Sequence, residues 1–263
     1  MFMRFSANLG FLFTELALPD AIAVAALHFD AVECHFPYAV STHDVARALE
    51  HANLPMISIN TVRGRAEAGE FGLAALPGRE ADARAAIDQA IDYATAVGAR
   101  AVHVMAGRSG GGVDAQRAFE GNLSYACASA AESQTMILIE PINQRDVPGY
   151  HLATLDAAID TIERVDAGCL KIMFDFYHVQ IIQGDVLRAF ELHRDVIGHV
   201  QIAAVPDRGA PDHGDIDYIE VLQAVQAMGY AGHVGAEYRP RGPTNDDLAW
   251  LPAIREHLEQ CGR

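Results

Sequence analysis

MILIEPINQRDVPGYHLATLDAAIDTIERV, residues 136–165, holds one complete structural unit. Met136 to Glu140 is apolar at every position but its last, which is how a strand buried on both faces reads. A long turn from Asn143 to Leu152 follows, and from Leu155 to Val165 apolar residues recur at the spacing of a helix with one buried face. Working outward in both directions, the same alternation occurs eight times. Strands are expected at Arg4–Asn8, Ala31–Cys34, Met56–Asn60, Ala101–Met105, Met136–Glu140, Leu170–Asp175, His199–Ala203 and His233–Glu237. Helices are expected at Asp20–Leu27, Asp44–His51, Glu80–Val97, Asp114–Glu132, Leu155–Val165, Asp185–His193, Tyr218–Met228 and Asn245–Gln260. Ser41 or Thr42 suits the N-cap of the second helix, Gly98 ends the third, and Gly229 and Gly232 mark the exit of the seventh. Strict alternation implies parallel strands joined by right-handed crossovers, and eight units in 263 residues favour an α/β fold of the closed (β/α)8 TIM-barrel type, one domain spanning 1–263. No GxGxxG stretch supports an open doubly wound sheet. The Gly- and Ala-rich loop from Thr61 to Arg79 is long enough to cover a barrel mouth.

The chain is 51% apolar, enough for a substantial core. Thirty-five acidic against 19 basic residues leave a formal charge of -16, which repels phosphate backbones and argues against nucleic acid as a partner. MFMRFSANLGFLF is too interrupted by Arg4, Ser6 and Asn8 for a signal peptide, and no run is long enough to span a membrane. Cys34, Cys127, Cys169 and Cys261 show no paired spacing, so reduced thiols and a cytoplasmic location are expected. A homo-oligomer is compatible with the sequence, which does not fix the assembly.

In such a barrel the chemistry sits where strands end. Strand five ends in Glu140, strand six in Asp175 (KIMFDFYH) and strand eight in Glu237 (HVGAEY), while strand seven carries Gln201 (HVQIA). The period of two places these side chains where all could point inward. Two carboxylates about 5 Å apart repel by about 3 kcal/mol at an effective dielectric near 20, so three of them require an offset. A protonated carboxyl or a nearby arginine would serve. A divalent cation does so most simply, and an all-oxygen set suits Mg²⁺ or Mn²⁺ better than zinc. For any one of these residues, capping the next helix is the plainer explanation. Four on consecutive strands weaken it, because long turns separate Glu140 and Glu237 from their helices.

EPINQRDVPGYHL, FDFYHVQIIQGD, GHVQIAAVPDRGAPDHGDIDY and GAEYRPRG together resemble the hydroxypyruvate isomerase family of the sugar isomerase and epimerase barrels. RFSANLGFLF and GEFGLAALPGRE extend the resemblance over nearly the whole chain. It implies that Glu140 and Glu237 are the catalytic acid–base pair, that Glu140, Asp175, Gln201 and Glu237 surround the metal, and that His178 and Arg208 contact substrate. Without the resemblance, His178 reads as a backbone-bonded loop histidine and Arg208 as a solvated charge. The implied substrate is a small hydroxy-carbonyl acid or sugar. The implied reaction interconverts hydroxypyruvate and tartronate semialdehyde through a metal-stabilised enediolate. Isomerisation of a 2-oxo-tetronate and epimerisation of a ketose at carbon 3 are alternatives on the same site. Two departures stand out: SINTVRGR differs from the family's usual third-strand end, and Asp215 replaces a glutamate. Both lie in loops that shape a pocket, so they bear on substrate more than on reaction.

An acid substrate needs a cationic partner for its carboxylate, and Arg208, Arg145 and Arg108 are the candidates. His28, His43, His51, His193 and His257 read as solvent-facing helical residues. His35 and His103 read as hydrogen-bonded structural histidines. GRSGGG lacks the Lys-Ser/Thr pair of a phosphate loop. A DNA repair endonuclease on this barrel would need more histidine ligands and a basic face, and a noncatalytic binder would bind ligand without exchanging protons.

Overall fold

The computed structural model describes residues 3–261 and has eight parallel strands closed into a barrel in sequential order. They are β1 (Arg4–Asn8), β2 (Ala31–Cys34), β3 (Met56–Asn60), β4 (Ala101–His103), β5 (Met136–Ile139), β6 (Leu170–Asp175), β7 (Ile197–Ile202) and β8 (His233–Ala236). Pairing of Phe5 with Val234 and Ser6 with Gly235 closes the ring, so no sheet edge is left open. The helices are α1 (Leu18–Ala25), α2 (Thr42–Ala52), α3 (Glu80–Val97), α4 (Val113–Ser129), α5 (Leu155–Val165), α6 (Phe176–Ile182), α7 (Val186–His193), α8 (Tyr218–Ala227) and α9 (Trp250–Cys261). None is long and apolar enough to cross a membrane.

Local chemistry fixes their ends. Ser41 caps α2 by accepting from the Asp44 amide, and Thr154 caps α5 by accepting from the Ala157 amide. Gly98, at φ +72°, closes α3. The expected (β/α)8 barrel is therefore observed, with several adjustments, among them α1 at Leu18–Ala25 in place of Asp20–Leu27 and α4 ending at Ser129 rather than Glu132. β4, β5, β7 and β8 end one or two residues early, and Met105, Glu140 and Glu237, just beyond β4, β5 and β8, line the chamber. β7 begins at Ile197 rather than His199. α6 was not expected, and it starts directly from the last residue of β6. The final helix begins at Trp250, after a short 3-10 turn over Thr244–Asp247.

Alternate strand residues serve two layers. Phe5, Ala7, Val32, Val102, Ile137, Ile139, Ile172, Phe174, Val200 and Val234 join the large core between barrel and helices. Inside the barrel, Ala101, Leu138 and Met173 form a separate small apolar floor. Above it the interior turns polar, with Ser6, Asn8, Glu33, Ser58, Asn60, His103, His199 and Gln201 all buried. The polar residues at the C-terminal ends of the strands thus rest on a rigid base.

Candidate active site

Glu140 follows β5, Asp175 ends β6 and Glu237 follows β8, and all three carboxyl groups are buried. Both oxygens of Glu237 are taken up: Oε1 accepts from Asn8 Nδ2 at 3.1 Å and from His35 Nε2 at 2.7 Å, and Oε2 accepts from Arg208 Nη2 at 2.6 Å. Arg208 also reaches Asp175 Oδ2 at 3.4 Å. Its guanidinium lies between the rings of Phe11 and Tyr177, 5.0 Å from each centroid. The backbone of Arg208 is left-handed at φ +57°, a conformation with an energetic cost for a residue carrying a Cβ. Two hydrogen bonds hold it there, from its own amide to Ala204 O and from the Arg239 amide to its carbonyl.

These partners drive the carboxyl groups apart. Burial raises the pKa of Glu237, but Arg208 and His35 outweigh burial and hold it below the ordinary range. Glu140 has no such cation: burial, then the charges of Glu237 and Asp175, push it well above the usual value. Its Oε1 is buried with no hydrogen-bond partner. Asp175 is pushed up to about 7 by burial, against the pull of Arg208. Glu140 therefore holds a proton more firmly than Glu237.

Asp175 is also a helix cap, since its Oδ1 accepts from the Tyr177 amide at 2.9 Å. The capping role and the site role coexist because its other oxygen is turned to Arg208 and His178. His178, one turn into α6, has a fixed tautomer. Asn143 Oδ1 accepts from the Asp146 amide, so Asn143 Nδ2 must donate to His178 Nδ1, 2.6 Å away. Burial and Arg208 push the His178 pKa well down, leaving a neutral ring whose proton sits on Nε2. That atom lies 3.6 Å from Glu140 Oε1 and 3.7 Å from Asp175 Oδ2, as a donor.

Beneath these groups lies Glu33 of β2, which sequence reasoning passed over. Its Oε1 accepts from Ser6 Oγ at 2.6 Å and pairs with His199 Nε2 at 2.9 Å, while Oε2 accepts from Gln201 Nε2 at 2.8 Å. A carboxylate facing an amide selects its NH2 end, which leaves Gln201 Oε1 buried and unpartnered. Gly235 makes room for this arrangement. A Cβ there would stand 2.1 Å from Glu33 Oε1 and 2.9 Å from Gln201 Cγ. Gly235→Ala is expected to cost about 1–3 kcal/mol by overpacking, read as a lowered urea midpoint. A wild-type midpoint would mean that the Glu33 network can shift aside.

Glu140, His178, Arg208 and Glu237 line one chamber of about 60 Å³, together with Phe11, His35, Phe36, Asn60, Arg63 and Phe71 among others. Asp175 meets it through Arg208 and His178. Larger surface clefts exist, such as one of about 420 Å³ between the Pro211–Ile219 segment and α9, but they lack this set of buried carboxyls. His35 and His103 both line the chamber, and only His103 departs from the hydrogen-bonded role expected of the two. His35 holds Glu237, and His103 is not hydrogen-bonded at all, with both ring nitrogens buried and unpartnered. Burial pushes its pKa down to about 4, so it is neutral. Glu33, His35 and His103 carried the same signal as Glu140, a polar side chain at the period of two inside or just beyond an apolar strand.

Among the described His, Cys, Asp and Glu side chains, one group of three brings ligand atoms within 4.8 Å of one another: Glu140, Asp175 and His178. This differs from the expected set of Glu140, Asp175, Gln201 and Glu237. Glu237 is turned to Arg208, His35 and Asn8. Gln201 contributes an oxygen with no partner, and His178 presents a protonated nitrogen. Arg145 bonds Pro206 O and Tyr177 Oη, Arg108 bonds Gly69 O, and neither lines the chamber.

A closed (β/α)8 barrel with three buried carboxyl groups at the C-terminal ends of its strands has its polar cluster where barrels of this class carry their chemistry. The chain belongs to the xylose isomerase-like TIM barrel family, whose model matches residues 21–254, and its relatives within that family are isomerases. A 2-oxo-tetronate isomerase of Cupriavidus necator is 43% identical over 254 residues, covering 94% of this chain and 97% of the relative. The hydroxypyruvate isomerase of Escherichia coli is 36% identical over 259 residues, covering 96% of this chain and 100% of the relative. A crystal structure described as an AP endonuclease, family 2, from Brucella melitensis superposes with a TM-score of 0.92 at 37% identity, over 95% of this chain and 98% of that one. The family expected from the sequence is the one the comparisons find, and the protein is an isomerase.

Proposed function

We propose that the protein interconverts hydroxypyruvate and tartronate semialdehyde, with Glu140 and Glu237 as the acid–base pair. The observation that carries this reading is the unequal surroundings of two buried carboxyls on one small chamber: Glu237 is bonded to Arg208, His35 and Asn8, which favours its ionised form, and Glu140 has an unpartnered Oε1 and no cation, which favours its protonated form. A 1,2-carbonyl shift needs both states at once. Ionised Glu237 takes a proton from C3 of hydroxypyruvate, and protonated Glu140 delivers one to C2. The C3 hydroxyl gives up its proton as the C2 oxygen gains one. His178 Nε2–H and Arg208 are the donors that steady the oxygens as charge builds on them. Arg208 also moderates Glu237. While fully bonded to Arg208 the carboxylate is a weak base, and it strengthens once Arg208 shares its donors with a substrate oxygen.

The donor set fits a hard divalent cation, Mg²⁺ or Mn²⁺. Glu140 and Asp175 bring carboxylate oxygens within 4.8 Å of one another, and the Oε1 of Glu140 and of Gln201 are buried without partners, while Glu237 would have to turn from Arg208 and His35 to join them. When bound, such an ion would supply Lewis-acid polarisation of the substrate carbonyl. His178, protonated on Nε2, acts on substrate rather than as a ligand.

The 43% identical relative favours a 2-oxo-tetronate as the alternative substrate, and epimerisation of a ketose at carbon 3 would use the same pair. Abasic-site cleavage, suggested by the description of the Brucella protein, is disfavoured by the charge of -16 and by a chamber of about 60 Å³. The free thiols of Cys34 and Cys127 support a reducing, cytoplasmic setting. The test is incubation with hydroxypyruvate in D₂O, with Mg²⁺ or Mn²⁺ and then with chelator, followed by NMR beside a 2-oxo-tetronate and a ketose. Deuterium uptake with aldehyde formation, abolished by chelator and restored by metal, is expected. Turnover of the ketose alone would overturn the substrate, and full turnover in chelator would overturn the role of the metal.

A further inference from the structure

We infer that Arg63 binds the carboxylate of the substrate and makes the chamber select acids over neutral sugars, an inference that deepens the proposed reading of the substrate as a small hydroxy-carbonyl acid. Arg63 and Arg208 are the two arginines that line the chamber. Arg208 is committed to Glu237 and Asp175. Among the described residues, the Arg63 guanidinium has no ion pair and no hydrogen bond. It is held instead by aromatic rings, 4.6 Å above Phe36 and 5.2 Å from Phe71. Ring faces orient a guanidinium without using its five N–H donors, which leaves the planar fork free for two parallel bonds to a carboxylate.

The charge balance points the same way. Arg208 is already opposed by Glu237 and Asp175, and Glu33 lies buried beneath them. An anion entering this chamber finds one cation that no carboxylate has neutralised. The Arg63 side chain stays open to solvent at the mouth, and although its surroundings lower its pKa from the ordinary value, an arginine stays protonated through such a shift.

The loop carrying Arg63 is framed rather than free. The Gly72 amide donates to the Arg63 carbonyl at 2.9 Å, and Gly72 bridges to Ala106 beyond β4. Gly72 and Gly107 make this possible, because a Cβ on Gly72 would lie 2.5 Å from Met105 O and one on Gly107 would lie 2.3 Å from Gly72 O. Their φ values of +117° and +97° also belong to glycine. The backbone thus fixes the point from which Arg63 reaches the mouth.

The test uses glycerate, a three-carbon hydroxy acid with no carbonyl to isomerise, and glycerol as its neutral counterpart. Binding of each is measured by calorimetry on the Mg²⁺-loaded protein, for wild type, Arg63→Met and Arg63→Lys. Glycerate affinity is expected to fall 10- to 100-fold in Arg63→Met and to recover in part in Arg63→Lys, with unchanged thermal unfolding. With hydroxypyruvate as substrate, the loss should fall on KM more than on kcat, as for uniform binding. Equal glycerate affinity in wild type and Arg63→Met, or a wild type that prefers glycerol, overturns the inference. Failure of the proposed function looks different: glycerate binds through Arg63, yet neither hydroxypyruvate nor a 2-oxo-tetronate is turned over.

Discussion

In D₂O, Glu140→Gln is expected to wash deuterium into C3 of hydroxypyruvate while forming tartronate semialdehyde at least about a thousandfold more slowly than wild type. Glu237→Gln is expected to do neither. The asymmetry follows from the partners each carboxyl has. Glu237 accepts three hydrogen bonds, one of them from a buried guanidinium, and starts the cycle ionised. It can remove a proton whether or not Glu140 is intact. Glu140 has a free Oε1 and no cation in contact, and starts with its proton on. Glutamine in its place preserves size but has no acidic proton to hand to C2, so the reaction stalls after exchange. General acid–base groups contribute about 10²–10⁴ each, and here the second half-reaction depends on one of them. The Glu237→Gln side chain still offers an oxygen to Arg208, so the fold should survive and the loss be chemical. NMR of the substrate resonances checks both variants against a buffer blank. Exchange lost in Glu140→Gln and kept in Glu237→Gln would reverse the roles, and wild-type turnover in either variant would sink the pair.

The barrel was legible because each strand is a short run rich in apolar residues and each crossover helix a run with a 3.6-residue period, the two alternating eight times. What the pattern could not give were the ends at the mouth. β5 and β8 end with their apolar runs, at Ile139 and Ala236, so Glu140 and Glu237 stand one residue beyond the ladder rather than as its last members. α6 was invisible for a related reason. FYHVQII continues the apolar run of β6 with no Gly or Pro between, and only the Asp175 cap, a matter of geometry, starts the helix. In the site, side chains on strand ends could be placed by counting in twos, which is how Glu140, Asp175, Gln201 and Glu237 were found. Arg208 needed more, because its position depends on a left-handed backbone and on two rings from distant segments. Arg63 needed most: Phe71, eight residues on in its own loop, and Phe36, from the loop after β2, hold it together, and no local pattern announces that meeting.

Arg208→Met is expected to destabilise the metal-free protein by about 3–5 kcal/mol at pH 8, the usual cost of removing one partner from a buried ion pair. The gap to wild type should close markedly by pH 5. Methionine keeps most of the volume between Phe11 and Tyr177, so the effect is electrostatic rather than a cavity. The sign follows from the carboxyls. In wild type, Glu237 is held below its unfolded value near 4.3, so it contributes stability above that value which is lost only as pH falls through its depressed folded pKa. Without Arg208, burial dominates and Glu237 is raised instead. A raised carboxyl costs stability as pH climbs from the unfolded value towards the folded one, and Asp175, already at about 7 with Arg208 present, moves further the same way. The variant therefore loses most above pH 7, where up to three carboxyls must ionise together or take up protons against the solvent. At pH 5 they stay protonated and the missing cation matters less. Urea unfolding of both proteins in chelator at pH 5 and pH 8 measures the gap directly. A loss of equal size at both pH values would show that Arg208 acts through packing alone. Adding Mg²⁺ at pH 8 should restore part of the stability, since a divalent cation beside Glu140 and Asp175 supplies the charge that the guanidinium no longer does.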